Sequence, residues 1–178
     1  AIFTINRPEV MNAVNFEVRK ELYDALVDFS ENPELWVGII SGAGEKAFCA
    51  GADLRGAGFE GQQRRVPGAG FIVQEAVETW KPLIAAINGY CLGAGMELAL
   101  SCDIRIAAEH ARLGLPEVTR GMIPLEGGTY RLPRMVSWCH AAEILLLGRQ
   151  IDAQEAYRMG LLNKVVPLDK LMSTAMEY

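Results

Sequence analysis

A chain of 178 residues, 51% apolar and 22% charged, is long enough and apolar enough to bury a substantial core, which excludes a disordered protein. Its formal net charge of −5, with no basic run, argues against a nucleic-acid surface, and no stretch of these residues reads as a signal peptide or a membrane span. Cys49, Cys91, Cys102 and Cys139 lie in apolar surroundings without CxxC spacing and read as buried, reduced thiols of a cytoplasmic protein. His110 and His140 form no ligand pair, so no metal is expected.

The chain opens in a strand-like run, Ala1 to Ile5, and closes inside a helical pattern, Met172 to Tyr178, so both ends read as cut short. Asn6-Arg7-Pro8 ends the first strand. Asn15 is the expected N-cap of an amphipathic helix over 16–30, with Val18, Leu22, Ala25, Leu26 and Phe29 on its apolar face, and Pro33 stops it. Trp36 to Ile40 predicts a buried strand closed by Ser41–Gly44, and Lys46 to Arg55 passes from a short strand through Gly51. Residues 56–70, centred on Arg64-Arg65, read as a surface loop, and Phe71 to Trp80 as a helix stopped before Pro82. Leu83 to Ile87 predicts a buried strand, followed by a glycine-rich turn and a helix from about Ala94. Asp103 to Ala108 reads as another strand and Leu113 to Val118 as extended. Helices are predicted from Gly127-Gly128 through Met135 and from Trp138 to Leu147, the latter ended by Gly148. Asp152 and Glu155 have the spacing of a capping box for a short helix ending at Gly160. Short strands alternating with helices predict an α/β fold with parallel pairing, in a single domain over 1–178.

The chemistry concentrates at Asn88–Asp103. A glycine beside a helix start lets a ligand approach the backbone closely, and the first helical N–H groups carry partial positive charge. The N–H of Ala94 is therefore a candidate donor to an oxygen that turns negative during a reaction. The similar turn at Gly51 makes the N–H of Ala52 a second candidate, and such a hole usually takes two. Glu97 lies one turn from Ala94 on the same face, placed for proton chemistry beside an enolate; alone, it also reads as a glutamate complementing the helix dipole. Glu117 sits among Leu113, Leu115, Pro116, Val118, Met122 and Ile123, an apolar wall that would raise its pKa towards neutrality; alone, it reads as a solvated loop acid. Glu126 reads as an exposed acid without a role. Gly93-Ala94-Gly95 does not open a dinucleotide fingerprint, because Leu98 stands where the third glycine would fall.

Six ordered motifs carry a resemblance: NRPEVMNA (6–13), AFCAGADL (47–54), INGYCLGAGMEL (87–98), LPE (115–117), GGTYRL (127–132) and AYRMGL (156–161). They resemble the signatures of the enoyl-CoA hydratase/isomerase, or crotonase, family over nearly the whole chain. The resemblance implies a crotonase-like spiral of ββα units, assembled as a homotrimer or dimer of trimers, here without its C-terminal trimerisation helices. It implies an acyl-CoA thioester whose carbonyl oxygen sits between the N–H groups of Ala52 and Ala94. It also implies Ala50, Asp53, Leu54, Arg55 and Gly93 along the CoA and thioester, and Glu97 and Glu117 as the catalytic acids. Coenzyme A is then part of the substrate, and no separate cofactor is expected. Glutamate at both positions favours hydration of a 2-trans-enoyl-CoA to a 3-hydroxyacyl-CoA, because family isomerases mostly keep only the acid matching Glu117. The alternatives are an isomerase, a hydratase of a branched, aromatic or carnitine-like acyl-CoA, and a non-catalytic binding protein of the same fold. Two departures stand out: Pro124-Leu125-Glu126-Gly127-Gly128 replaces the family's Pro-Gly-x-Gly-Gly turn, putting Leu125 near the water position, and Ala94 stands where many members have glycine.

Overall fold

A computed structural model describes residues 1–54 and 79–178. In chain order its strands are β1 (Ile2–Ile5), β2 (Gly38–Gly42), β3 (Ala47–Cys49), β4 (Leu83–Ile87), β5 (Tyr90–Leu92), β6 (Ile104–Ala108), β7 (Arg112–Gly114), β8 (Gln150–Asp152) and β9 (Lys164–Val166). The helices are α1 (Phe16–Glu31), α2 (Ala94–Ser101), α3 (Gly128–Met135), α4 (Trp138–Leu147), α5 (Ala153–Arg158) and α6 (Leu171–Glu177). The strands form two sheets, ordered β1-β2-β4-β6-β9 and β3-β5-β7-β8. Every pairing is parallel except β7 with β8. Each pair β2–β3, β4–β5 and β6–β7 places its first strand in the larger sheet and its second in the smaller, which is the spiral of ββα units expected from the motifs.

The central strands of the larger sheet, β2, β4 and β6, are buried on both faces. β4, LIAAI, is inaccessible along its whole length, as strands covered on two sides require. α1 forms because Asn15 caps it, its side chain accepting from Val18 N at 3.0 Å, and it buries Leu26 and Phe29. Phe29 meets Phe3 of β1 edge-on with ring centroids 5.6 Å apart.

The corners between paired strands are held by two buried asparagines. Asn88, in the β4–β5 corner, donates from Nδ2 to Gly42 O, Gly44 O and Ala47 O (2.7–3.2 Å) and accepts from Gly42 N at 3.1 Å. Asn12 donates to Ala43 O and Ala47 O, and accepts from Arg7 N. Successive corners are thus stacked and cross-tied. Gly95 brings α2 against β3: a Cβ there would stand 2.7 Å from Cys49 Cβ.

Several expectations need correction. Leu113–Val118 is not extended throughout: β7 stops at Gly114 and Pro116–Arg120 is a 3-10 turn, with Pro116 pre-set for its first position and Gly121 closing it at φ +68°. β5 and β8, three residues each, were not foreseen, being too short to show a period. The capping box is half formed. Asp152 accepts from Glu155 N at 2.7 Å, but the Glu155 carboxylate goes to Arg149 (2.7 Å). Cys139 is exposed on the outer side of α4, unlike the other three thiols. Of the helix predicted over 71–80, residues 71–78 lie outside the described residues, and Thr79 and Trp80 are not helical. Among the described residues no helix is long and apolar enough to cross a membrane.

Candidate active site

Neighbouring strands of the smaller sheet, β3, β5 and β7, run parallel, and their C-terminal ends deliver the segments bearing Ala52, Ala94 and Glu117. Ligand sites in parallel sheets form at such strand ends. Gly93 N donates to Gly114 O at 2.9 Å and ties the second end to the third.

The first turn is shaped by a bridge between Val14 and Ala52. Val14 N donates to Gly51 O (2.8 Å) and Asp53 N to Val14 O (2.9 Å), so the groups flanking Ala52 are used and its own N–H faces the other way. Asp53 is 2.9 Å from Arg7, whose guanidinium also reaches Ala13 O at 2.7 Å. The Asp53 carboxylate, expected along the substrate, therefore clamps the turn to the Asn6–Ala13 segment. Ala50 N donates to Met11 O and fixes the same segment. Leu54 is exposed beside it, and Arg55, like the 56–70 loop, lies outside the described residues.

In the second turn Gly93 takes φ +53°, a backbone that side chains resist, and launches α2 at Ala94. The two turns touch: a Cβ on Gly51 (φ +108°) would sit 3.7 Å from Ala94 N. Ala94 N is the first N–H of its helix and has no acceptor in it. Two backbone donors without a structural acceptor among the described residues therefore lie side by side.

Both predicted acids converge on these turns. A Cβ on Gly93 would stand 3.1 Å from Glu117 Oε1, which brings that carboxyl against the second turn. Glu117 Oε2 is buried without a hydrogen-bond partner among the described residues. Burial raises its pKa above the ordinary 4.5, as its apolar neighbours predict. Val118 and Ile123, counted in that wall, instead face outward. Glu97 is 3% exposed, and its Oε1 accepts from Glu126 N (2.7 Å) and Gly128 N (2.9 Å). Burial pushes its pKa up to about 7; the two N–H bonds oppose that, and the charges of Glu117 and Glu126 add to it.

This cradle is the feature the sequence did not disclose. Gly127-Gly128 reads there as a helix opening, whereas Gly128 also lets the chain close on this carboxylate: a Cβ there would come 2.9 Å from Pro124 Cβ and 3.1 Å from Glu97 Oε1. Glu126, expected to be exposed, is 6% exposed. The correction has a physical reason: its backbone is bound to Glu97 and its carbonyl accepts from Arg131 at 3.0 Å, which draws the residue inward. Leu125 is 71% exposed at the rim and does not fill the interior.

The whole chain, residues 1–178, matches the family model described as enoyl-CoA hydratase/isomerase. The chain belongs to the enoyl-CoA hydratase/isomerase family. It is 44% identical to the short-chain-enoyl-CoA hydratase of Clostridium acetobutylicum over 182 residues, covering 99% of this chain and 69% of that protein. It is also 44% identical to the crotonyl-CoA hydratase of Syntrophomonas wolfei, covering 97% and 67%. The crystal structure of an enoyl-CoA hydratase from Bacillus anthracis superposes with a TM-score of 0.92 at 44% identity, over 99% of this chain and 69% of that one. The cradle around Glu97 is legible in the sequence only as the Gly127-Gly128 pair.

Proposed function

We propose that the protein hydrates a 2-trans-enoyl-CoA to a 3-hydroxyacyl-CoA. The observation that carries this reading is the convergence of two carboxyls of raised pKa, Glu97 and Glu117, on two adjacent backbone donors, Ala52 N and Ala94 N. The thioester carbonyl accepts from both donors. As water attacks C3, negative charge grows on that oxygen, and the N–H pair stabilises it without reorganising; one such donor typically contributes ~10²–10³ in rate.

Glu97 takes the proton that water loses. Its Oε1 is occupied by two N–H donors, leaving Oε2 for the water. Glu117 lies closer to the Gly93 turn, hence to C2, one bond from the carbonyl carbon, and its Oε2 passes a proton to C2. The pair starts with one proton on Glu117 and ends with one on Glu97, which returns to Glu117 as product leaves; one water has been added. Coenzyme A enters as the substrate's handle, and the assembly is a trimer or dimer of trimers working in the cytoplasm.

The test uses the full-length protein and a short 2-trans-enoyl-CoA, following loss of the conjugated thioester absorbance together with product analysis. Glu117→Gln and Glu97→Gln are each expected to lower kcat by at least ~10² while the fold persists, the scale of a positioned acid or base. Near-parental turnover in either variant removes that residue from the mechanism. A product with a shifted double bond and no added water replaces hydration with isomerisation.

A further inference from the structure

We propose that Arg7 is a positioning residue for the oxyanion pair, acting on the Ala52 N–H through a relay of two peptide groups. The inference deepens the hydratase reading above and rests on its assignment of Ala52 N and Ala94 N to the thioester oxygen. One guanidinium nitrogen of Arg7, Nη1, donates to Ala13 O at 2.7 Å and to Asp53 Oδ2 at 2.9 Å. Ala13 C=O and Val14 N–H belong to one peptide group, and Val14 N donates to Gly51 O at 2.8 Å. Gly51 C=O and Ala52 N–H belong to the next. In a trans peptide the C=O and N–H point in opposite directions, so a hydrogen bond accepted at the back fixes and polarises the N–H at the front. The series runs from the cation through Ala13–Val14 and Gly51–Ala52 and finishes at the N–H that meets the thioester oxygen.

Comparison with the second donor shows why Ala52 needs such backing. Ala94 N shares its peptide group with Gly93 O, which accepts from Glu97 N at 3.0 Å, so the first turn of α2 holds and polarises it. Ala52 heads no helix among the described residues. It follows Gly51 at φ +108°, and a glycine leaves the peptide group freer to turn than another residue would. Val14 N–H is what holds that group, since the Cys49 thiol reaches the same oxygen only at 3.8 Å. The segment presenting Val14 is itself strained: Met11 (φ 57°) and Asn12 (φ 56°) are consecutive left-handed residues, and neither is glycine. Such backbone persists where its surroundings over-determine it, and it clusters at functional sites. Here Asn12 N donates to Arg7 O, Ala13 N to Val10 O, and Asn12 Nδ2 to Ala43 O and Ala47 O. Arg7 then grips both strands of the Val14–Ala52 bridge, Ala13 on one and Asp53 on the other. The Asp53 carboxylate offsets the guanidinium charge at long range, so the influence of Arg7 on Ala52 N travels along the hydrogen bonds.

The experiment uses the full-length protein and butyryl-CoA, a saturated acyl-CoA isotope-labelled at its thioester carbonyl carbon. Infrared difference spectroscopy reads the carbonyl stretch of the bound ligand, which falls as donors polarise the carbonyl. The variants are Arg7→Gln, Arg7→Lys and a protein with an ester in place of the Ala13–Val14 amide, which loses the Val14 N–H and keeps both side chains. In the parent the stretch is expected below that of the free thioester. Arg7→Gln and the ester are each expected to lose part of that lowering and about tenfold in kcat on a short 2-trans-enoyl-CoA, less than the loss of a whole donor. Butyryl-CoA should bind them with a Kd within about twofold of the parent's, because a transition-state donor contributes little to ground-state binding. Arg7→Lys keeps a cationic donor and is expected to restore most of both losses. A parental stretch in Arg7→Gln and in the ester, whatever happens to Tm or Kd, overturns the proposal while hydration stands. Should Arg7→Gln fail to fold, the ester decides alone: a parental stretch there overturns the relay. A parent whose bound carbonyl is no lower than in the free ligand sinks the oxyanion assignment of Ala52 and Ala94 and the relay with it. A parent that lowers the stretch without hydrating sinks hydration alone, and the same variant shifts then judge the relay.

Discussion

Glu97 is held under opposed demands. Two N–H groups favour its anion, while burial and two neighbouring acids favour its protonated form, and burial prevails. That balance has a thermodynamic consequence apart from catalysis. A carboxyl whose pKa rises from 4.5 to about 7 on folding binds its proton more tightly in the folded state. Its contribution to stability is therefore full below the unfolded pKa and is lost as pH climbs towards 7, the loss being at most ~3 kcal/mol. Glu97→Gln cannot ionise. Thermal melts at about pH 5.5 and about pH 8.5 should show the parent losing more Tm than the variant, with the variant melting higher at the alkaline end while inactive. Equal losses in both would mean that Glu97 does not carry this burden. Gly93 belongs to the same scale: its positive φ strains any side chain, and a Cβ there would press on Glu117 Oε1.

At the scale of elements, the stacked corners explain why AFCAGADL and INGYCLGAGMEL sit together. Asn88 satisfies three carbonyls and one N–H of the preceding corner, and it is 4% exposed. Asn88→Ala would take from buried Gly42 both its N–H acceptor and a donor to its carbonyl, at a cost on the order of 3 kcal/mol. Urea unfolding should show a lower midpoint with an unchanged slope; a parental midpoint would mean that water replaces the side chain. Much of this level could be read from sequence. α1 runs from its Asn15 cap as expected, because an apolar stripe, a cap and a following proline all agree there. β4 matches residue for residue, because a fully apolar run between turns has few other places to go. β5 and β8 escaped because three residues hold no period. The Glu97 cradle escaped because it depends on which residues meet across long separations, and local pattern carries no signal for that.

Taken as a whole, the molecule is a device for bringing three strand ends into line. Sequence marked Gly51-Ala52, Gly93-Ala94 and Glu117 as separate points of interest, but their meeting is a property of the sheet order β3-β5-β7. Interleaving the strands of two sheets makes it possible: each ββ pair crosses from the larger sheet to the smaller, so segments about 40 and about 20 residues apart in the chain end side by side. Behind them lie Cys49 and Cys91, neutral and wholly buried, a dry backing for a site that must strengthen its electrostatics by excluding water.

The contact between Gly95 and Cys49 works as a gauge block. β3 leads to one donor and α2 begins with the other, and the gap between these two parts is set by how closely they can be pressed together at their backs. One missing methyl group thus governs the spacing of the Ala52 and Ala94 N–H groups from behind. Gly95→Ala would wedge the Ala52 and Ala94 N–H groups apart, and a misfit of about 1 Å can cost ~10² in rate. We expect kcat to fall by that order while a saturated acyl-CoA still binds, measured by turnover and calorimetry side by side. Unchanged kcat would mean that the spacing is machined elsewhere.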